Sequence, residues 1–219
     1  MSGLPTFVAA TANPNKLVEM RAALDGLAAL VERPVGLGDV PENGDTLEAN
    51  ARIKAVAVAT FSGAPALADD TGLEVDALDG APGVHSARYA GPGAGDEANV
   101  AKLLAALAGV ALPQRTARFR TVVVARWPDG RELSADGVVE GSIACSPRGG
   151  RGFGYDPVFV PAPGQLTFAE MSLDAKGAIS HRGRALRELV RLLTATAAPG
   201  VRSPDVRNPP SGPATGAVR

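Results

Sequence analysis

Residues 6–24 read TFVAATANPNKLVEMRAAL, and this stretch indicates how the chain begins its fold. Residues 6–12 form a short apolar run of the kind that makes a buried strand. Asn13 is a favoured helix N-cap, and Pro14 is favoured at the first position of a helix. Apolar residues then recur at helical spacing, at Leu17, Met20, Leu24, Leu27 and Val31. The sequence therefore predicts a strand, a tight turn and a helix, in that order.

Further strands and helices alternate along the chain. A helix is predicted from Asp45, which we expect to cap it, with Glu48 three residues later. The apolar run at 65–68 predicts a strand that ends in a polar turn at 69–72, before a half-buried strand at 73–77. Later elements are predicted as a helix at 96–107, a strand at 119–127, its hairpin partner at 131–144 and a helix at 180–193. The fold class is therefore α/β, and the hairpin makes the sheet mixed.

The composition is that of a globular chain. Of 219 residues, 45% are apolar and 21% are charged, which excludes a fully disordered protein. The net charge of −1 gives no electrostatic basis for binding nucleic acid or a membrane surface. The single cysteine, Cys145, excludes a disulfide within the chain and fits a reducing cytosol. We expect neither a membrane span, which needs ~18 apolar residues, nor a secretion signal.

The chain divides into one predicted domain, residues 1–198, and a tail. The last 21 residues, 199–219, contain five of the 18 prolines and no aromatic residue, Leu or Ile. Such a segment buries too little apolar surface to offset the entropy of ordering it. We therefore predict a disordered tail at 199–219.

The turn between the first strand and helix carries Thr11, Asn13, Asn15 and Lys16. Free backbone N–H groups at a helix N-terminus attract anions, and a lysine in the first turn adds a full positive charge. This arrangement suits a phosphate group, although the spacing of a Gly-rich phosphate loop is absent. A capped helix with a solvated lysine is the structural alternative.

Two carboxylates, Asp69 and Asp70, stand together before Thr71 and Gly72. Adjacent carboxylates repel one another unless a cation or hydrogen bonds compensate. Oxygen ligands of this kind suit Mg²⁺, which binds one or two carboxylates and keeps several waters. Glu42 and Asp45 supply further acidic groups upstream, and a simple polar turn is the alternative.

Two later segments carry residues that suit the binding of a ligand. The segment G-F-G-Y-D-P at 152–157 places two of the nine aromatic residues in a Gly-rich loop, where they can stack on a base. Lys176, His181 and Arg182 cluster at the start of a predicted helix. Because a helix N-terminus disfavours cations, we expect an anion or an acceptor-rich ligand beside them. The alternatives are a packed loop with Phe153 in the core and a surface basic cluster.

Six sequence blocks in a fixed order resemble one known family. The blocks are T-x-N-x-x-K at 11–16, E-x-x-x-x-L-E-x-N-A-x-x-K-A at 42–55, A-D-D-T-G-L at 68–73, D-G-A-P-G-V-H-S-A-R-Y-A-G at 79–91, G-F-G-Y-D-P at 152–157 and S-H-R-G-x-A-L at 180–186. Together they resemble the inosine triphosphate pyrophosphatase family, and most closely its bacterial XTP/dITP diphosphatases. The resemblance runs from about residue 7 to residue 193.

The resemblance implies a long twisted mixed sheet, with helices that form two lobes around a nucleotide-binding cleft. It implies hydrolysis of deaminated purine nucleoside triphosphates (ITP, dITP and XTP) to the monophosphate and pyrophosphate, with Mg²⁺ as cofactor. It also implies a homodimer. A purine nucleoside triphosphate is then the expected partner, and the cytoplasm the expected location.

The functional residues of that family carry over onto matching positions of this chain. In that reading the triphosphate is bound by Thr11, Asn13, Asn15 and Lys16, and Mg²⁺ is held by Glu42 and Asp70. Asp70 is also the proton acceptor for the attacking water, although direct activation of that water by the metal is an equally physical alternative. The resemblance also implies that Thr71 contacts the substrate. The nucleobase pocket comprises Phe153, Gly154, Tyr155, Asp156, Lys176, His181 and Arg182.

A preference for deaminated purines has a physical rationale. These bases carry an oxygen at position 6, where adenine carries an amino group, and Arg182 and Lys176 are the expected donors to that oxygen. Sites that would leave such donors unpaired with the wrong substrate discriminate by about 10⁴.

Two other functions stay open. A Maf-type nucleotide pyrophosphatase shares the general architecture but acts on other nucleotides, and the S-H-R block argues against it. A nucleotide-binding sensor without turnover needs no water-activating acid, so the intact Asp69–Asp70 pair and Lys16 argue against that function.

Overall fold

The computed structural model describes residues 4–197, so the predicted tail at 199–219 lies outside the described residues. Its strands are β1 (Thr6–Ala9), β2 (Ala29–Val31), β3 (Ala66–Val75), β4 (Pro82–Gly83), β5 (Thr116–Arg126), β6 (Glu132–Ile143) and β7 (Phe159–Pro161). Its α-helices are α1 (Pro14–Leu24), α2 (Leu47–Ser62), α3 (Asp96–Ala106), α4 (Leu173–Ile179) and α5 (His181–Ala197). Within residues 4–197, none of the helices has the length and apolar character that a membrane span requires.

All the strands join one mixed sheet, in the order β2-β1-β3-β5-β6-β7, with β4 paired to β3. β1 runs parallel to both of its neighbours, β2 and β3. The β3–β5, β5–β6 and β6–β7 pairs are antiparallel. The sheet thus has a parallel side built from strand–helix units and an antiparallel side built from the β5–β6 hairpin. The predicted α/β class and the mixed sheet are confirmed.

The two faces of the sheet are covered by different helices. Successive side chains of a strand point to opposite faces, and β3 follows this rule. Ala66 and Ala68 pack in a core cluster with α2, whereas Leu67 packs in a second cluster with α1 and α5. A third cluster packs α3 against the Leu73 end of β3. Full burial of an apolar side chain contributes about 1.5–3 kcal/mol relative to exposure. These three clusters therefore hold the helices against both faces of the sheet.

Three residues form one row across the centre of the sheet, on the face covered by α5. Thr71 of β3 lies opposite Thr121 of β5, and Thr121 lies opposite Gly137 of β6. A Cβ atom added at Gly137 would come within 2.0 Å of the backbone oxygen of His181 and 2.5 Å of the backbone nitrogen of Ala185. The missing side chain therefore lets the first turn of α5 lie directly on β6.

Replacing Gly137 by Ala is expected to lower the free energy of unfolding by about 1–3 kcal/mol, because overpacking forces backbone to move. The matched control is Gly150→Ala, since a Cβ at Gly150 meets no atom within 4 Å. Urea unfolding of both variants measures the difference. Equal midpoints for the two variants would show that α5 does not depend on this close contact.

The structure differs from the predicted elements at several points. The strand predicted at 73–77 ends at Val75, and a 3-10 helix follows over Asp76–Leu78. Residues 69–72 are not a turn, because β3 continues through them and pairs with β5 along its whole length. Asp45 does not cap α2; the hydroxyl of Thr46 accepts the N–H of Ala49 instead, at 3.1 Å. The first helix ends at Leu24, and Val31 belongs to β2 rather than to that helix.

Other predicted features agree with the structure. Asn13 caps α1 with Pro14 at its first turn, and α3 begins at Asp96 as expected. The predicted hairpin is the β5–β6 pair, and the last predicted helix is α5.

Candidate active site

A cavity of about 430 Å³ opens where β1, β3 and α5 meet. It brings together residues from all the segments singled out in the sequence. Of the predicted site residues, those that line it are Thr11, Asn13, Lys16, Glu42, Asp70, Thr71, Phe153, Gly154, Tyr155, Asp156, Lys176, His181 and Arg182. Asn15 does not line the cavity, because its side chain is exposed and its N–H is used in the helix cap.

At one end of the cavity, the turn before α1 is held by short polar contacts. The side-chain oxygen of Asn13 accepts the backbone N–H groups of Asn15 and Lys16, at 2.9 and 3.3 Å. The backbone N–H of Asn13 donates to the hydroxyl of Thr11 at 3.1 Å. The Lys16 ammonium lies 3.4 Å from a carboxylate oxygen of Asp69, and burial lowers the pKa of Lys16. Burial opposes the charge of this ammonium and the Asp69 carboxylate favours it, so the turn places a lysine paired with an acid at this end of the cavity.

The α2 face of β3 holds a lysine between two carboxylates. The Nζ atom of Lys54 donates to Asp70 at 2.8 Å and lies 3.3 Å from Glu42. Burial raises the pKa of Asp70, against the lowering effect of the Lys54 ammonium. Burial alone would lower the pKa of Lys54, but Asp70, Asp69 and Glu42 outweigh it and raise that pKa. Lys54 is thus a firmly charged group that balances two acids in the cavity wall.

Asp69 points to the opposite face of β3 from Asp70. Its Oδ2 atom accepts from Nε of Arg182 at 3.1 Å and faces Lys16, while its buried Oδ1 atom has no hydrogen-bond partner within residues 4–197. Although burial opposes it, these cations hold the pKa of Asp69 well below its usual range. The expected repulsion between adjacent carboxylates is therefore relieved, because each acid pairs with its own cations across the sheet.

The other end of the cavity is built on a chain of buried ion pairs. Arg182 donates to both Asp69 and Glu19, and Lys176 donates to Glu19 at 2.7 Å and to Asp156 at 2.5 Å. Arg182 and Lys176 are only 2% and 4% exposed. Three basic groups at one helix start were expected to need an external acceptor. Instead, Lys176 lies in the last turn of α4, and carboxylates of the protein itself compensate Lys176 and Arg182.

The aromatic residues of the Gly-rich loop take different positions. Phe153 is half-buried, and its ring lies 5.2 Å from Nζ of Lys176 and 5.6 Å from the guanidinium of Arg182. Tyr155 packs in the core and its hydroxyl donates to the backbone oxygen of Ser86, so burial raises the pKa of Tyr155. Phe153 is therefore the ring that is available to stack on a ligand.

His181 lies between the cavity and the sheet. Its ring stacks on Phe119, with 4.6 Å between the ring centres, and its Nδ1 atom lies 2.6 Å from the hydroxyl of Thr121. Burial, reinforced by the nearby Arg182 and Lys176, lowers the pKa of His181 well below its ordinary value. The imidazole is consequently neutral at physiological pH.

Three residues that build this site had no predicted role. They are Glu19, Lys54 and Thr121. Two of them carried a usable signal: Glu19 stands three residues after Lys16 on one helix face, and Lys54 stands at a core position of α2. Asp45, named as an acidic source near Glu42, does not line the cavity.

Comparisons with known proteins agree with one another. The profile of the Ham1 family matches residues 7–192. The dITP/XTP pyrophosphatase of Syntrophobacter fumaroxidans is 52% identical over 188 residues, which cover 84% of this chain and 80% of that protein. The dITP/XTP pyrophosphatase of Geobacter sulfurreducens is 50% identical over 183 residues, which cover 82% and 92%. The solved structure of a HAM1 protein from Coxiella burnetii matches with a TM-score of 0.79 and 42% identity, over 88% of this chain and 100% of that one.

Proposed function

The chain belongs to the Ham1 family, and from this premise we infer that it is a nucleoside triphosphate pyrophosphatase. It hydrolyses deaminated purine nucleoside triphosphates to the monophosphate and pyrophosphate. The observation that carries this conclusion is the cavity of about 430 Å³, which joins a capped, cationic helix start, a lysine-bridged pair of acids and a base-recognition cluster.

The cationic end of the cavity is suited to the triphosphate. A triphosphate carries about four negative charges at neutral pH, which lysines and helix N-termini offset locally. Lys16 and Lys54 both line the cavity, and Asn13 fixes the turn that leads into Lys16. A chain with a net charge of −1 therefore needs no overall positive charge to bind this anion.

Glu42 and Asp70 fit a magnesium site. Their carboxylates reach the same Lys54 ammonium, at 3.3 and 2.8 Å, so both already converge on one cation within the cavity. Two carboxylates together with substrate phosphates and water are a donor set that Mg²⁺ accepts. When bound there, Mg²⁺ would neutralise charge on the phosphates and lower the pKa of bound water.

Asp70 is the residue we assign to proton transfer. Pyrophosphate leaves as one piece when water attacks the α-phosphorus, and a carboxylate within reach can orient that water and accept its proton. Burial raises the pKa of Asp70, which makes the carboxylate a better base than an exposed one. Lys54 holds one of its oxygens at 2.8 Å, so the direction of the carboxylate is fixed.

Arg182 and Lys176 are the donors that we assign to the 6-oxygen of the base. A guanidinium has five N–H groups, and three of those on Arg182 donate to Asp69, Glu19 and Thr71. The carboxylates thus aim the guanidinium without using all its donors. Phe153 supplies the ring that stacks on the base.

The enzymatic test measures pyrophosphate released from ITP, XTP, dATP, GTP and UTP, each with and without Mg²⁺. We expect rapid release from ITP and XTP only, and only with Mg²⁺. Tight binding without release would identify a nucleotide sensor instead, and release chiefly from UTP or dATP would exclude a deaminated-purine enzyme.

The magnesium site has a test that does not depend on activity. In the Lys54→Gln variant, the cation that competes for Glu42 and Asp70 is removed, so Mg²⁺ is expected to bind roughly tenfold or more tightly. A metal that binds only the folded state raises Tm, so the Mg²⁺-induced rise should exceed that of the unmodified enzyme. Lys102→Gln, at an exposed position of α3, is the control. An equal Mg²⁺-induced rise in both variants would place the metal elsewhere.

A homodimer and a cytoplasmic location complete the proposal. The homodimer rests on the family resemblance of the sequence blocks, and the location rests on that resemblance together with the single cysteine, which fits a reducing cytosol. Light scattering on the eluting protein measures the first, and cell fractionation the second. A monomer mass at micromolar concentration would exclude the dimer.

A further inference from the structure

A row of hydroxyl groups connects the ion-pair chain to His181. The Thr71 and Thr121 hydroxyls lie 2.6 Å apart, and the Thr121 hydroxyl lies 2.6 Å from Nδ1 of His181. Thr121 is fully buried, so water does not supply alternative partners. Each hydroxyl has only one hydrogen to donate, which makes the direction of every bond in the row depend on the others.

One end of the row has a fixed direction. Arg182 always donates, and its NH2 group donates to the hydroxyl oxygen of Thr71 at 3.2 Å. The hydrogen of Thr71 then has two acceptors, the Thr121 hydroxyl at 2.6 Å and an Asp69 oxygen at 3.4 Å. Hydroxyl–carboxylate bonds are normally 2.5–2.7 Å long, so 3.4 Å is far outside that range. Among the described residues, the shorter contact therefore favours donation from Thr71 to Thr121.

The rest of the row follows from that choice. With its oxygen already accepting from Thr71, the Thr121 hydroxyl has its own hydrogen free for Nδ1 of His181. That nitrogen must then be the acceptor of the neutral ring, and the ring hydrogen must be on Nε2. The neutral state agrees with the burial of His181 between Phe119 and two cations.

We propose that Thr121, oriented by Thr71, fixes His181 as the Nε2–H tautomer and is thereby a specificity-determining positioning residue for the base. His181 lines the cavity while its Nδ1 is turned to the sheet, so Nε2–H is the polar group left for a ligand. A donor there matches an acceptor on the base, such as the 6-oxygen of a deaminated purine, and opposes the 6-amino group of adenine. The part of the proposal that concerns the base rests on the proposed function; the tautomer does not.

The tautomer is read directly by nuclear magnetic resonance of protein labelled with ¹⁵N-histidine. The chain has only two histidines, and the exposed His85 does not line the cavity, so His85→Gln assigns the signals. We expect the Nδ1 of His181 to show the shift of an unprotonated nitrogen and Nε2 that of a protonated one. The opposite pattern in the unmodified site would overturn the proposal.

Two variants test what Thr121 does. Thr121→Val removes the hydroxyl at nearly constant volume, and Thr121→Ser keeps it. We expect both tautomers in the Val variant and the single Nε2–H tautomer in the Ser variant. In Thr121→Val, the ratio of kcat/KM for ITP to that for ATP should fall roughly 3- to 10-fold, which is the effect expected from the loss of one hydrogen bond. In Thr121→Ser, this ratio should equal that of the unmodified enzyme.

The outcomes separate this proposal from the proposed function. An unmodified enzyme that releases no pyrophosphate from ITP overturns the function, while the nitrogen shifts still decide the tautomer. A Val variant with mixed tautomers but an unchanged ITP-to-ATP ratio overturns the specificity role of Thr121. If Val does not fold, the tautomer in the unmodified protein and the ratio in Ser still decide the proposal.

Discussion

In the Asp70→Asn variant, kcat for ITP is expected to fall by roughly 10²- to 10⁴-fold, the range typical of a lost general base. The substitution keeps the shape of the side chain but removes both its charge and its basicity. Lys54 keeps its contact with Glu42, so the fold and much of the nucleotide binding should be preserved. Steady-state pyrophosphate release at saturating Mg²⁺ measures the loss, and thermal unfolding checks the fold.

Asp76→Asn is the matched control for that experiment. Asp76 directly follows β3, is exposed and pairs with Arg118, so its substitution should leave kcat within about twofold and stability within ~0.5 kcal/mol. If Asp70→Asn retains turnover within a few-fold of the unmodified enzyme, the proton acceptor is another group. Asp69, the neighbouring acid, would then be the first residue to replace.

Replacing Arg182 by Ala is expected to change both specificity and stability. Transition-state stabilisation for ITP should fall by about 2–4 kcal/mol, and that for ATP much less, because ATP has no 6-oxygen to bond. Removing the guanidinium also leaves the buried Asp69 and the half-buried Glu19 without this partner, and such a loss at a buried pair typically costs about 3–5 kcal/mol of stability. The kinetic prediction is therefore best measured at low temperature, with unfolding followed in parallel.

Two further variants separate charge from base recognition at this position. Arg182→Lys keeps a cation beside the acids but loses the planar guanidinium. Relative to Arg182→Ala, this variant should therefore regain more of the stability than of the selectivity for ITP over ATP. Arg184→Ala removes an exposed arginine two residues further along α5 and controls for a general effect of removing an arginine. Equal losses of kcat/KM for ITP and ATP in Arg182→Ala would assign Arg182 to the phosphates rather than to the base.

Much of the fold was predictable because its signals are local. The cap at Asn13 and Pro14, the helix from Asp96 and the β5–β6 hairpin each depend on neighbouring residues. Short elements were missed where the local signal is weak. β2 and β7 have only three residues each, and their backbone pairing rather than their own sequence makes them strands.

The site was predicted as a set of residues but not as an arrangement. Asp69 to Gly72 read as a polar turn, since acidic residues and glycine are uncommon in strands. Pairing with β5 along the whole of β3 overrides that preference. The internal partners of Arg182 and Lys176 depend on Glu19, which is more than 150 residues away in the sequence, and no local pattern indicates such a contact.

The alternation of β3 restricts how this protein can change its length. Asp69 serves the α1 and α5 side of the sheet and Asp70 the α2 side. A deletion or insertion of one residue in the strand would turn every following side chain to the other face. An insertion before this pair would place Ala68 at the present position of Asp69. A deletion there would place Thr71 at the present position of Asp70. Either slip would remove one acid, so natural length variation and engineered insertions are expected to avoid 66–75 and to fall in the flanking loops.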